Sequence, residues 1–76
     1  MVRLSQVVIA YHLQDLKKLN KYLMYYRLKI FQYDLWFSDF PDIDNQEYKV
    51  KFIDYMQIKN NLRFCEFYIR SINGEH

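Results

Sequence analysis

Apolar residues recur at alternating three- and four-residue steps through Leu16, Leu19, Leu23, Tyr26, Ile30, Tyr33 and Phe37. That spacing lays a stripe along one side of a helix and predicts a packed helix over about Asp15–Phe37. The register extends backwards to His12 and Ile9, and Leu4, Val7, Val8 and Tyr11 also fit helical spacing, so one reading is a single helix from about Leu4. The other takes Asp15 as an N-cap with a short strand before it. A second apolar stripe, Leu13, Met24, Leu28, Phe31 and Leu35, lies well around the same helix. Two apolar faces imply burial from two sides. A hairpin of this length covers only one of them, so the pattern predicts a second copy or another protein against the rest.

The pattern breaks at Ser38–Asn45, where the only proline, Pro41, sits among Ser38, Asp39, Asp42, Asp44 and Asn45. A proline disfavours helix at the residue before it, here Phe40, so this is a loop. Beyond it Tyr48, Val50, Phe52, Met56 and Ile58 alternate with Lys49, Lys51, Gln57 and Lys59, a strand-like period broken by Ile53, Asp54 and Tyr55. Then Leu62, Cys65, Ile69 and Ile72 share one helical face and Arg63, Glu66 and Arg70 the opposite one. Asn61 fits an N-cap and Gly74 a C′ residue for that last helix. A β-hairpin turning at Asn60–Asn61 competes, because asparagine tolerates left-handed geometry.

The expected fold is therefore mainly α: one small domain over 1–76, with a long helical arm 1–37, an acidic loop 38–47 and a second helical arm 48–76. Such a helical hairpin is expected to pair into a dimeric bundle. The alternative is α+β, with a strand or β-hairpin in 47–71.

Composition strengthens the expectation of a partner. Fifteen of 76 residues are aromatic, eight of them tyrosine, against one glycine and one proline. Chains this short bury only ~60% of their unfolded surface and commonly need a staple. Cys65 is the only cysteine, which excludes a disulfide within one chain and suits a reducing, cytoplasmic compartment. The two histidines, His12 and His76, stand at opposite ends of the sequence, so no structural metal is expected. Association is the staple that remains. The run Val7–Ala10 is too short for the apolar core of a signal peptide. No stretch approaches the roughly 18 apolar residues of a membrane span, so no membrane partner is expected. Lys, Asn, Ile, Tyr and Phe supply 33 residues, a usage that suits an AT-rich genome such as that of a phage or mobile element.

Formal net charge is +2, but its distribution is uneven. Residues 1–37 hold six basic side chains against two acidic ones. Residues 38–48 hold Asp39, Asp42, Asp44 and Glu47 with no basic residue, and residues 49–76 hold five basic against three acidic. The acidic segment reads as a solvated loop whose carboxylates lie near a helix start, where the helix dipole favours them. As a calcium loop it fails: counted from Asp39, the sixth position is Asp44 instead of glycine, and the twelfth is Val50 instead of glutamate.

No catalytic residue, cofactor or small-molecule substrate is expected. Cys65 falls on an apolar stripe without a nearby histidine and reads as a packed core thiol. His12 lies on the seam register and reads as a packed, hydrogen-bonded residue. His76 closes the sequence. There is no glycine-rich loop to cradle a phosphate.

Two functions remain. The first is a non-catalytic binding or regulatory protein working through protein contacts, with itself as a homodimer or with a larger protein. Its seam is Leu16, Leu23, Tyr26, Ile30 and Tyr33, and its second contact surface is Leu28, Phe31, Leu35 and Trp36. The tyrosines Tyr22, Tyr25, Tyr26 and Tyr33 suit either a docking surface or a shared core. The alternative is a nucleic-acid-binding regulator. Lys17, Lys18 and Lys21 form a basic cluster, and Lys49, Lys51, Lys59, Arg63 and Arg70 interleave with Tyr48, Tyr55, Phe64 and Tyr68. Cations neutralise phosphates and rings stack on unpaired bases.

Overall fold

The computed structural model describes residues 1–39 and 44–74. Three helices follow in order: α1 (Leu4–His12), α2 (Leu16–Asp39) and α3 (Gln46–Ile72), with no strand among the described residues. The expectations placed on Phe40, Pro41, Asp42 and His76 lie outside those residues.

The helix boundaries follow from local chemistry. At the start of α1 the side-chain oxygen of Gln6 accepts the Arg3 amide at 2.8 Å. At its end the chain reverses through Gln14, whose φ of 53° is left-handed. Asp15 then caps α2, its carboxylate accepting the Lys18 amide at 3.1 Å. Asp15 is thus a cap, but the segment before it is a helix, not a strand. The single helix from Leu4 is interrupted, because the reversal and the cap supply hydrogen bonds that a continuous helix would make for itself.

α3 begins at Asn45, whose side-chain oxygen accepts the Glu47 amide at 2.8 Å, and Glu47 lies in its first turn. It ends at Asn73 followed by Gly74, whose φ of 78° is the left-handed exit that glycine permits. Replacing Asn45 with alanine is expected to cost ~1 kcal/mol. For a domain of this size, that lowers the melting temperature by roughly 4–8 °C in a thermal scan.

The strand-like reading of 48–59 and the N-cap at Asn61 are corrected: α3 is continuous and Asn61 lies within it. Its inner face is Tyr48, Lys51, Tyr55, Ile58, Leu62, Cys65, Ile69 and Ile72, all buried or half-buried at helical steps. Lys51 disguised that period. It takes an inward position because its ammonium lies 5.2 Å from the Trp36 ring centroid, an attraction that lets a cation occupy an apolar register.

α2 and α3 run antiparallel as a helical hairpin, and α1 packs against both at the end where α2 starts. The core there is Val7, Ala10, Leu19, Tyr26 and Cys65. The assembly is 43 Å long and 19 Å across. Leu16, Leu23, Ile30 and Tyr33 flank Leu19 and Tyr26 on the same side of α2, so the seam read from the sequence faces the chain's own α1 and α3.

Candidate interaction surface

The two ends of the hairpin are built differently. At the end away from α1, Tyr33, Trp36 and Phe37 of α2 meet Tyr48, Phe52 and Tyr55 of α3. Phe37 sits among them, 4.9 Å from Tyr48 and 5.2 Å from Tyr55 between ring centroids. Offset and edge-on packing of this kind adds to the area each ring buries. Two hydrogen bonds cross the pair reciprocally. The Tyr33 hydroxyl donates to Asp54, and the Tyr55 hydroxyl donates to Asp34 at 2.7 Å. Burial, then the Asp54 carboxylate, pushes the Tyr33 hydroxyl up to about 12.

At the α1 end, Tyr26 donates to the Val2 carbonyl at 3.3 Å, and burial is the main cause that raises its hydroxyl to about 12. Cys65 donates its thiol proton to the Leu19 carbonyl at 3.2 Å, and burial pushes it up to about 11. That is the packed core thiol expected, held in its protonated, unreactive form. His12 is exposed in the last turn of α1, not packed in the seam. It sits there because the chain leaves the helical register at the next residues.

Beyond the N-terminus of α1 lies a half-open cavity of about 690 Å³, lined by Arg3, Tyr25, Lys29, Asp54, Gln57 and Asn61 among others. Its carboxylate, Asp54, accepts the Tyr33 hydroxyl, and the Lys29 ammonium lies 6.0 Å from the Tyr25 ring centroid. Among the described residues, no group of three or more His, Cys, Asp or Glu side chains could hold a metal ion. Among the described residues, no helix is long and apolar enough to cross a membrane.

The back of α2 is different in kind. Met24, Leu28, Phe31 and Leu35 are 65, 57, 59 and 53% exposed. They form an unbroken line on the side of the helix opposite Leu19 and Tyr26. Trp36, read with them from the sequence, is half-buried near Lys51 and Tyr48 and does not share this face. Leu13 belongs to the turn between α1 and α2. A further apolar row, Val50, Ile53, Phe64 and Phe67, is exposed along α3, interrupted by the polar Gln57 and Asn60.

The basic residues are divided. Lys17, Lys18 and Lys21 lie exposed in the first turns of α2. Lys49, Arg63 and Arg70 lie at multiples of seven residues on the outer face of α3, whereas Lys51 points inward at Trp36. Arg63 and Arg70 reach the same end of the hairpin as the α2 cluster, since Leu19 is level with Cys65.

The only trace in the sequence of the reciprocal Tyr33–Asp54 and Tyr55–Asp34 bonds is the pair of mirrored dipeptides Tyr33-Asp34 and Asp54-Tyr55, which helical periodicity does not single out. No protein-family model, no curated protein and no solved structure matches this chain.

Proposed function

We propose that the chain is a small, cytoplasmic, non-catalytic binding or regulatory protein that acts through protein contacts, with the back of α2 as its principal docking surface. One observation carries this reading: four large apolar side chains, each more than half exposed, are aligned without a charge among them on the face turned away from the core. Contiguous apolar surface of this kind marks interaction sites. The unpaired, protonated Cys65 suits a reducing compartment.

The test uses Leu28→Asp. Leu28 is exposed, so the variant is expected to keep its helicity by circular dichroism. Wild-type protein used as bait in host extract, and tested separately for self-association, is expected to retain a partner that Leu28→Asp loses. Identical binding by the two proteins overturns the reading.

The alignment of Lys49, Arg63 and Arg70 on one face of α3 supports a second reading, a nucleic-acid-binding regulator. Affinity for DNA and RNA at two salt concentrations separates the two. A steep salt slope supports the second reading, and absence of binding at low salt removes it.

A further inference from the structure

Resting on the protein-contact reading, we infer that the occupant of the α2 back is a second copy of this chain, packed antiparallel with the two-fold axis between Leu28 and Phe31. The spacing of Met24, Leu28, Phe31 and Leu35 is four, three and four residues, the seam of a two-helix coiled coil. Antiparallel pairing sets Leu28 of one copy against Phe31 of the other, and Met24 against Leu35. The next layer outward sets Lys21 against Ser38, so the apolar stripe ends on polar residues at both ends.

The charges flanking the stripe fit the same register. Arg27 and Asp34 lie along one edge, Lys18 and Asp39 along the other, and all four are exposed. In the antiparallel pair Arg27 comes within about two residues, roughly 3 Å of axial offset, of Asp34 on the other copy. Lys18 comes equally near Asp39. Symmetry repeats each match, giving four opposite-charge pairs and no like-charge pair. Tyr55 already holds Asp34 through one carboxylate oxygen, which fixes the group at that edge. Parallel pairing does the reverse: Lys17 and Lys21 meet their own copies within the seam, and Asp34 faces Asp39. Flanking charges of this kind set helix orientation. The face is self-complementary in one orientation only, as an isologous contact requires.

Stable interfaces bury roughly 800 Å² per partner. A single helix face running from Lys18 to Asp39, about 32 Å long at 1.5 Å per residue, belongs at the lower end of that class. The dimer is therefore expected to exchange with monomer as concentration changes.

Sedimentation of the full chain over a range of concentrations tests this. The mass is expected to rise from 9.6 kDa towards twice that value. Phe31→Asp, at an exposed position, is expected to keep native helicity and remain monomeric. Arg27→Asp alone and Asp34→Arg alone are each expected to weaken association by about tenfold or more, because each places like charges together twice. An equimolar mixture of these two variants is expected to recover association, since every flanking pair is then opposite in sign. A wild type that stays monomeric throughout overturns self-pairing. If Leu28→Asp still abolishes capture of another protein, the broader reading survives that result. Dimerisation indifferent to the charge reversals, or no recovery on mixing, overturns the antiparallel register.

Discussion

Tyr26→Ala is expected to remove ~3–5 kcal/mol of stability at 25 °C, a large share of the total for a chain of this size. Tyr26 is 1% exposed and is the largest fully buried side chain, touching the core formed by Val7, Ala10, Leu19 and Cys65. Truncating a buried aromatic residue costs ~3–5 kcal/mol through lost transfer energy and the cavity left behind. Stability of roughly 0.05–0.15 kcal/mol per residue implies only ~4–11 kcal/mol for this chain. The variant also leaves the Val2 carbonyl without its donor. Urea titration followed by circular dichroism reads the result. Lys17→Ala, at an exposed position, should move the midpoint little, within ~0.5 kcal/mol. A Tyr26→Ala midpoint close to that of wild type would contradict the core described above.

Alkaline pH is the second large effect. Tyr26 and Tyr33 are raised from 10.0 to about 12, and Cys65 from 9.0 to about 11. In each case the folded state holds its proton more tightly than the unfolded chain. The stabilisation from each group is therefore fully present below its unfolded value and is lost as pH rises through its folded value. Stability should hold steady to about pH 9 and then decline, with Cys65 acting over pH 9–11 and the tyrosines over pH 10–12. The fully buried Tyr26 alone represents roughly 2–3 kcal/mol, at 1.36 kcal/mol per unit. Melting temperatures measured across this range should fall steadily, and Cys65→Ala should delay the onset to about pH 10. A level profile between pH 9 and pH 11 would contradict the burial of these groups.

The fold was legible in the sequence wherever a single physical rule governed. Leu16, Leu19, Leu23, Tyr26, Ile30, Tyr33 and Phe37 obey one helical period because all turn towards the same neighbours, and α2 follows from them. Asp15 and Gly74 were legible because a cap and a left-handed exit have short lists of suitable residues. The first half of α3 was not, since Lys51 occupies an inward position over the Trp36 ring and breaks the apolar count. Asn61 misled for a related reason: a good capping residue can also sit within a helix when packing dictates. The identity of the surface behind the seam divided in the same way. Leu28, Phe31 and Leu35 were visible by spacing, but Trp36 joined them only on paper. Its ring is held instead by Phe37, Tyr48 and Lys51 from neighbouring positions and from the opposite helix. The Tyr–Asp bonds depend on the relative height of two helices, which no single-chain period encodes.

Cys65, sealed beneath Leu19 with its hydrogen tied to a backbone oxygen, makes the molecule its own stopwatch. A thiol reagent can consume that sulfur only during moments when α3 lifts away from α2. When reclosing outruns the chemistry, the labelling rate divided by that of a free thiol gives the fraction of time spent open, so breathing of the interior can be timed without attaching any dye.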